Sequence, residues 1–341
     1  MKKSLLMALT ASLVLTGVGT AFAADDAVKI DGSITFHYRT QHDPQRTGDK
    51  TRNSFKSTVT LNAEAPIASN LDAYARFTYQ NISKDEGLFA RDYIDGDKNN
   101  AAIDAFGLKY KNAGYSYVVG SQALTLGGGI AYDNGFIGQH ALPYAINVSK
   151  KVGAVNLNAI AAKTNYQDNK ENDKFYVLQG TMAVSDKSTV GAMLAQVNYG
   201  ENTVADFNLK SDDVTFFSVY GTRQLSDRTS LSAEYLKSSV SYASQGVQAN
   251  VTRKLDDKNK LTTGIYYIQD QANIFDDNFA DMTTSPNNNA KGTLVVWNHK
   301  FNESTSLTVG NLNYKVLDKN STSGAVSSDR NRFFTNVSVK F

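Results

Sequence analysis

Cysteine is absent from the 341-residue chain. The protein therefore has no disulfide, no thiol nucleophile, no zinc or iron–sulfur site built on thiolates, and no lipid attached through an N-terminal cysteine. Proline and tryptophan are scarce, with four residues and one, whereas tyrosine and phenylalanine number 18 and 17. This wealth of aromatic residues argues against intrinsic disorder.

Long apolar runs are also rare, and the longest lies at the N-terminus. It begins with Leu5, follows two lysines and ends before Ala-Phe-Ala at 21–23, which is the arrangement of a secretory signal peptide. We expect residues 1–23 to be a cleaved signal peptide and residues 24–341 to be the exported chain. The alternative is an uncleaved membrane anchor. No other stretch approaches the 18 apolar residues that a membrane-spanning helix needs.

A surplus of charge of one sign is lacking as well. The chain has 35 basic and 33 acidic side chains, and loss of Lys2 and Lys3 with the signal peptide leaves 33 of each. A neutral chain lacks the electropositive surface that nucleic-acid-binding proteins use. We therefore expect no nucleic-acid partner.

Alternation with a period of two dominates the rest of the sequence, as in β-strands with one apolar and one polar face. In the first run, Ile34 and Phe36 share one face, while Thr35 and His37 share the other. The pattern predicts about sixteen strands, near residues 29–39, 55–65, 71–80, 102–110, 115–122, 144–151, 155–164, 175–184, 189–198, 214–224, 230–238, 246–254, 261–269, 292–301, 305–315 and 331–341.

For one of these strands, at residues 292–301, the alternation does not decide which face is the apolar one. Val295 and Trp297 share one face, while Leu294 and Val296 share the other. Either face can therefore be the apolar one.

The connectors between the predicted strands alternate between short and long. This alternation places all short turns at one rim of a sheet and all long loops at the other. The four prolines fall in connectors, where a missing N–H costs no ladder hydrogen bond. Because no linker or shift in composition interrupts the pattern, residues 24–341 are expected to form one domain.

The two faces of these strands indicate the solvent on each side. A soluble sandwich would bury the apolar faces against a second sheet. A transmembrane barrel instead turns them to lipid and encloses a polar lumen, and it must close because unpaired strand edges in lipid are costly. We therefore expect an all-β, antiparallel transmembrane barrel, with a large soluble β protein as the alternative. Aromatic residues near the strand ends predict interfacial girdles: Tyr38, Phe55, Tyr79, Tyr110, Tyr115, Phe175, Tyr199, Tyr235, Tyr267 and Phe333.

The C-terminal strand carries a recognisable signature at Phe333, Val337, Val339 and Phe341. It resembles the last strand of Gram-negative outer-membrane proteins, which the barrel-assembly machinery reads. With the leader and the strand layout, the whole mature chain resembles the 16-stranded general diffusion porins. That resemblance implies an outer-membrane location with short periplasmic turns and long extracellular loops. It also implies contact with outer-membrane lipid and lipopolysaccharide, and a homotrimer.

In porins of this kind the third long loop folds into the lumen and narrows the pore. The matching segment here is residues 123–143, which is apolar and rich in glycine, as suits tight packing inside a barrel. It lacks the Pro-Glu-Phe-Gly-Gly stretch of enterobacterial members, and Asp133 is its only acid. We expect removal of residues 127–138 to widen the pore. The candidate constriction-loop residues are Gly127, Gly128, Gly129, Tyr132 and Asn134.

In the same family, basic side chains on the barrel wall face an acidic third loop. The alternation turns Arg39, Lys56, Arg76 and Lys109, as well as Lys29, toward the lumen. We expect the first three to form the constriction wall opposite Asp133, which predicts a modest preference for anions. The alternative is that these cations are ordinary lumen residues away from the constriction.

Catalytic and metal-binding signals are weak. The chain has neither a G-x-S-x-G elbow nor an H-E-x-x-H motif, and its four histidines are scattered. We therefore expect no enzymatic activity, no cofactor and no resident metal. Acidic clusters at 92–97 and 276–281 are candidates for Ca²⁺ in long loops, with solvated loop charge as the alternative.

Together these features predict an outer-membrane porin that passes small hydrophilic solutes and ions by diffusion. Two alternatives stay open. One is a porin selective for a sugar or an anion, and the other is a barrel that acts mainly as an adhesin or receptor through its long loops.

Overall fold

The computed structural model describes most of residues 24–341. The described residues are 28–43, 50–83, 88–89, 99–133, 142–164, 173–206, 209–274, 289–317 and 329–341. The expected signal peptide, Asn134 and both acidic loop clusters lie outside these ranges. Within them, no helix is long and apolar enough to cross a membrane, and no group of three or more potential metal ligands occurs.

Sixteen strands form one closed antiparallel barrel, which confirms the predicted fold class and strand number. Each predicted strand overlaps a barrel strand, with ends that differ by a few residues. The barrel strands are β1 (Lys29–Asp43), β2 (Lys50–Ala68), β3 (Leu71–Ser83), β4 (Asn99–Asn112), β5 (Tyr115–Ser121), β8 (Tyr144–Val152), β9 (Val155–Lys163), β10 (Lys174–Ser185), β11 (Ser188–Asn198), β12 (Asp213–Ser226), β13 (Thr229–Ser238), β14 (Gln245–Lys254), β15 (Asn259–Ile268), β16 (Ala290–Lys300), β17 (Thr305–Val316) and β18 (Asp329–Lys340).

Three further elements lie in the described parts of the long connections. Strands β6 (Thr125–Leu126) and β7 (Tyr132–Asp133) pair as a small hairpin between β5 and β8. A short helix, α1 (Glu201–Asp206), lies between β11 and β12. We call the connection from β5 to β8, residues 122–143, loop L3.

Each barrel strand pairs with its neighbours in the chain, and β18 returns to pair with β1. At the seam, Gly32 and Phe341 exchange backbone hydrogen bonds of 2.9 and 3.1 Å. A side chain at Gly32 would collide with the Phe341 ring, because its Cβ would lie 2.7 Å from the ring Cζ. The C-terminal residue therefore completes the closure that leaves no open sheet edge.

The connectors alternate between short turns of two to four residues and longer loops, as predicted. We refer to the two ends of the barrel as the short-turn mouth and the long-loop mouth. At the turn between β4 and β5, Ala113 and Gly114 both have positive φ, at 49° and 79°. This pair of left-handed residues is the geometry that closes a two-residue hairpin.

The apolar face of each strand points outward, as the alternation predicts. The exposed large hydrophobic side chains include Phe36, Ile103, Leu178, Leu194, Phe217, Ile265 and Val295. In a soluble protein so large an apolar surface would be unstable in water, because each square ångström costs about 25 cal/mol.

The side chains that face the barrel interior differ between its two halves, and this corrects the expectation that the lumen is polar throughout. In the half next to the short turns the inward side chains are polar and at least partly exposed: Ser33, Thr60, Asn62, Ser116, Ser149, Asn158, Thr181, Thr222, Thr252, Thr262, Asn298 and Thr308. In the half next to the long loops, most of them are buried. On β9–β16 these buried side chains are largely apolar, among them Ile160, Val177, Met193, Phe216, Leu236, Ile268 and Leu294.

Two members of the predicted aromatic girdles belong to this interior. Phe175 and Tyr199 are buried in the cluster inside the barrel, so their assignment to an outer girdle is wrong. The structure also shows which face of β16 points inward, because Leu294 and Val296 are buried inside the barrel while Val295 is exposed outside. In each case the strand has apolar side chains on both faces, and alternation alone does not choose between them.

Candidate pore and constriction loop

Loop L3 is fixed to the inner wall of the barrel by hydrogen bonds to two strands. The side chain of Gln179 on β10 accepts a hydrogen bond from the Gly127 N–H at 3.0 Å. On β13, Glu234 accepts one from the Ile130 N–H at 3.0 Å and another from the Gly128 N–H. Because Glu234 is only 5% exposed, these bonds replace the water that its carboxylate would otherwise need.

The three glycines are required where L3 wraps this carboxylate. A Cβ on Gly127 would lie 2.4 Å from Glu234 Oε1, and a Cβ on Gly128 would lie 2.7 Å from Oε2. Gly127 and Gly129 also have positive φ, at 65° and 110°. The predicted glycine-rich turn thus forms a tight backbone cradle around one wall residue.

Apolar packing holds the same loop from its other side. Leu126, Ile130 and Tyr132 are buried in the interior cluster, and the Tyr132 ring lies 5.4 Å from that of Phe175. Tyr132 was predicted as a constriction-loop residue, and here it anchors L3 to the wall. The carbonyl of Ala131 also accepts a hydrogen bond from the Ile274 N–H at 3.0 Å, which links L3 to the connection after β15.

Arg39 and Lys56 come together on the inner wall but are covered. The Phe89 ring lies 4.5 Å from the Arg39 guanidinium and 4.8 Å from the Lys56 ammonium. Arg39 also donates a hydrogen bond of 2.8 Å to the Leu88 carbonyl. The two cations are 5% and 1% exposed, so Leu88–Phe89, from the connection after β3, separates them from water.

Arg76 is paired with an acid that alternation does not place in the lumen. Its Nε and Nη2 each donate a 2.7 Å hydrogen bond to the Asp104 carboxylate. The register between β3 and β4 shifts between Arg76 and Phe77. This bulge adds one residue to β4 and turns Asp104 inward.

Lys109 is also neutralised. It forms an ion pair with Glu64, and its ammonium lies 5.4 Å from the Tyr74 ring. Asp133 accepts a hydrogen bond of 3.2 Å from the Thr125 hydroxyl across the β6–β7 hairpin. The strand registers turn the four wall cations toward the barrel interior, whereas their opposition to Asp133 across a constriction stays a prediction.

A buried carboxylate outside the strands joins two of the long connections. Asp173 accepts hydrogen bonds from the Gly200 N–H at 2.7 Å and the Thr203 hydroxyl at 2.9 Å. Burial raises the pKa of Asp173 from 3.8 to about 6, although both hydrogen bonds act in the opposite direction.

The raised pKa of Asp173 predicts that acid stabilises the folded arrangement in which this carboxyl group is buried. The folded pKa lies above the unfolded value, so the ionised form is penalised in the folded state above pH 6, and the penalty disappears as the pH falls toward 4. We expect amide exchange of residues 200–204, measured by mass spectrometry after correction for intrinsic rates, to slow by about tenfold or more from pH 7 to pH 5. Asp173→Asn should remove this dependence, and an equal dependence in that variant would contradict the assignment.

Comparison with known proteins gives matches in structure alone. No family model matches the chain, and no curated protein matches it in sequence. Two engineered variants of the porin from Rh. blastica superimpose with TM-scores of 0.58 and 0.57 at 11% and 10% identity, each covering 92% of this chain and 100% of that chain. A triple mutant of the Rhodopseudomonas blastica porin gives a TM-score of 0.58 with the same coverage.

The chain has the fold of the general diffusion porins. At this level of identity the likeness concerns the fold. The role of each side chain in this barrel is therefore argued from its own contacts.

The C-terminal signature residues occupy the seam of the porin barrel. Phe333, Val337 and Val339 are on the outward face of β18, and Phe341 closes the sheet beside Gly32. Recognition of these residues by an assembly machinery stays a prediction.

Four residues of the barrel interior were missed by sequence reasoning. They are Glu234 and Gln179, which hold L3, Asp104, which pairs with Arg76, and Phe89, which covers Arg39. An acid on the inward face of a polar strand was a usable signal for Glu234. Nothing in the alternation indicated the other three.

Proposed function

We propose that this protein is an outer-membrane porin of a Gram-negative bacterium that passes small hydrophilic solutes and ions by passive diffusion. The observation that supports this proposal best is the closed barrel of sixteen strands with an apolar exterior and an open, polar short-turn half inside. The proposed activity needs no catalytic group, cofactor or metal.

The proposed channel depends on the difference in polarity between the outer and inner faces of the barrel sheet. Outside, side chains such as Phe36 and Leu194 match a hydrocarbon layer, and closure of the barrel pairs every strand edge. Inside, polar residues such as Thr60 and Asn158 line a surface that can form hydrogen bonds with water and with a permeating solute. L3, held rigidly against β10 and β13, is the proposed sieve.

The proposed setting in the cell follows the orientation of related barrels. We place the short turns in the periplasm and the long loops outside, in contact with lipopolysaccharide. Phe333, Val337, Val339 and Phe341 would be the signal for the barrel-assembly machinery, after removal of residues 1–23 as a signal peptide. A homotrimer is the proposed assembly.

Conductance in planar lipid bilayers tests this proposal. The purified mature chain should insert as discrete steps of conductance that scale with salt concentration. Liposomes containing it should swell in small sugars and fail to swell in large oligosaccharides. Inserted and folded protein that gives neither steps nor swelling would refute the porin proposal.

Burial of the inner wall near the long loops favours a second candidate, a barrel that acts through its loops. His37, Lys56 and Gln80 on the early strands are all buried there, as are Leu294 and Phe334 on the late strands. A receptor or adhesin with an occluded lumen would have this arrangement. The same bilayer measurement separates the candidates, because an occluded barrel inserts without conductance.

A further inference from the structure

Seven lysines lie at the short-turn ends of the strands. They come from four of the short connections, from the start of β1 and from the end of β18. They are Lys29, Lys111, Lys151, Lys254, Lys260, Lys300 and Lys340.

The strand registers place all seven on the inward face. Lys254 lies opposite Lys260, and Lys260 lies opposite Asn298, which faces the lumen. Lys340 lies opposite Ser33, also an inward residue. For the others the inward partners are Glu64 for Lys29, Ser116 for Lys111, Asn156 for Lys151 and Ser306 for Lys300.

These lysines differ from the four cations that sequence reasoning selected. All seven are exposed, and in the described part of the chain none of their ammonium groups forms a hydrogen bond or an ion pair. Arg39 and Lys56, by contrast, are buried, and Arg76 and Lys109 are paired with acids. Among these eleven inward cations, the seven at the short-turn mouth are therefore the ones that are both exposed and unpaired.

Acids on the same part of the inner wall are too few to cancel this charge. Among the described residues there are three: Asp31, which accepts a hydrogen bond from Asn62, Glu64, which is paired with Lys109, and Asp72. The turns add Asp186, Asp227, Asp256, Asp257 and Glu303, together with Lys187, Arg228 and Lys258. The turns alone therefore have more acids than bases, but the wall and the turns together, with Lys109 included, have eleven basic and eight acidic side chains, so a surplus of positive charge remains.

We propose that this ring of lysines, which we call the lysine mouth, makes the channel selective for small anions such as carboxylates and phosphate esters. The inference rests on the proposed porin function and names its substrate class. A ring of like charge at the low-dielectric wall of a pore concentrates counter-ions at its entrance. Since the Debye length is about 10 Å at 0.1 M salt and about 3 Å at 1 M, the effect operates at low salt and fades at high salt.

Reversal potentials in a gradient of dilute potassium chloride test the lysine mouth. The wild type should prefer chloride. In the triple variant Lys254→Gln, Lys260→Gln, Lys300→Gln, the ratio of anion to cation permeability should fall by about threefold or more. The matched control is Arg253→Gln, because Arg253 is exposed at the same end but lies opposite Leu261 on the outward face. An unchanged ratio in a triple variant that still conducts would overturn the inference and leave the porin proposal standing.

Block of the current by an anion added to one side of the bilayer gives a second test of the lysine mouth. Tripolyphosphate added at the short-turn mouth should reduce the current more strongly than the same concentration at the long-loop mouth, and the triple variant should lose this asymmetry. Equal block from both sides in the wild type would contradict the lysine mouth.

A binding measurement separates this inference from the porin proposal. Calorimetry of the purified protein in detergent at low salt should show that tripolyphosphate binds the wild type at least threefold more tightly than the triple variant. Equal binding would refute the lysine mouth whether or not the protein conducts. Tighter binding to the wild type in a protein that does not conduct would support the lysine mouth as an anion-binding site. It would refute only the proposal that the protein is a channel.

Discussion

Replacing Arg76 with alanine is expected to lower the free energy of unfolding by about 3–5 kcal/mol, because it leaves a buried carboxylate without its partner. The Asp104 side chain is fully buried, and Arg76 supplies two of its hydrogen bonds at 2.7 Å. The Thr78 hydroxyl supplies a third at 3.3 Å. Without the guanidinium, that hydroxyl is the one side-chain donor that the described residues are seen to offer this carboxylate.

The fluorescence of Trp297, the single tryptophan, provides the measurement during urea unfolding in lipid vesicles. The double variant Arg76→Ala, Asp104→Ala should be less destabilised than Arg76→Ala, since it removes the stranded charge as well as the pair. Asp104→Asn should cost less than Arg76→Ala, because the Arg76 side chain remains 17% exposed and can be hydrated. A loss below about 1 kcal/mol for Arg76→Ala would mean that water reaches Asp104.

The barrel itself could be predicted because its signal repeats in every strand. Alternation such as Ile34, Thr35, Phe36 and His37 fixes which side chains share a face, and the register confirms that assignment across the seam with β18. The alternating connector lengths gave the up-and-down order, because two-residue turns can join only adjacent antiparallel strands. Many weak local signals thus agreed on one topology.

The bulge in β4 limits how far alternation can be extended. Counting back from Lys109, which faces inward, places Asp104 outward. The extra residue opposite Arg76 and Phe77 reverses the phase and brings the carboxylate to the guanidinium. A bulge changes one residue's pairing without leaving a distinctive sequence pattern, so the ion pair could not be found by parity.

The burial of inward side chains by loop residues could not be predicted from the sequence either. Parity correctly turned Arg39 and Lys56 inward, but it does not report what a distant loop places above them. Phe89 comes from another part of the chain, and its ring excludes water from both cations. The apolar interior around Phe175 and Val177 has the same origin, because it is formed by loop residues such as Leu126 that pack inside the wall.

The anchor of L3 gives the second large expected effect. Glu234→Ala removes the acceptor for the Ile130 and Gly128 N–H groups and for the Ser218 hydroxyl, which donates at 2.6 Å. Hydrogen bonds to a charged group are worth about 1.5–3 kcal/mol each. Apolar packing of Leu126 and Tyr132 remains, so we expect the glycine turn to loosen while the loop stays inside the barrel.

Single-channel recording measures the consequence of this loosening. The open-channel noise of Glu234→Ala should rise severalfold, and the mean conductance should change, because residues 127–130 no longer hold one position. Glu234→Gln should be intermediate, since its amide oxygen can still accept hydrogen bonds but the side chain is neutral, so each remaining bond is weaker than one to a carboxylate. Glu303→Gln is the control, because Glu303 is exposed on a short turn away from L3. Noise and conductance equal to the wild type in Glu234→Ala would show that apolar contacts alone hold the loop, and that the carboxylate is dispensable for the position of L3.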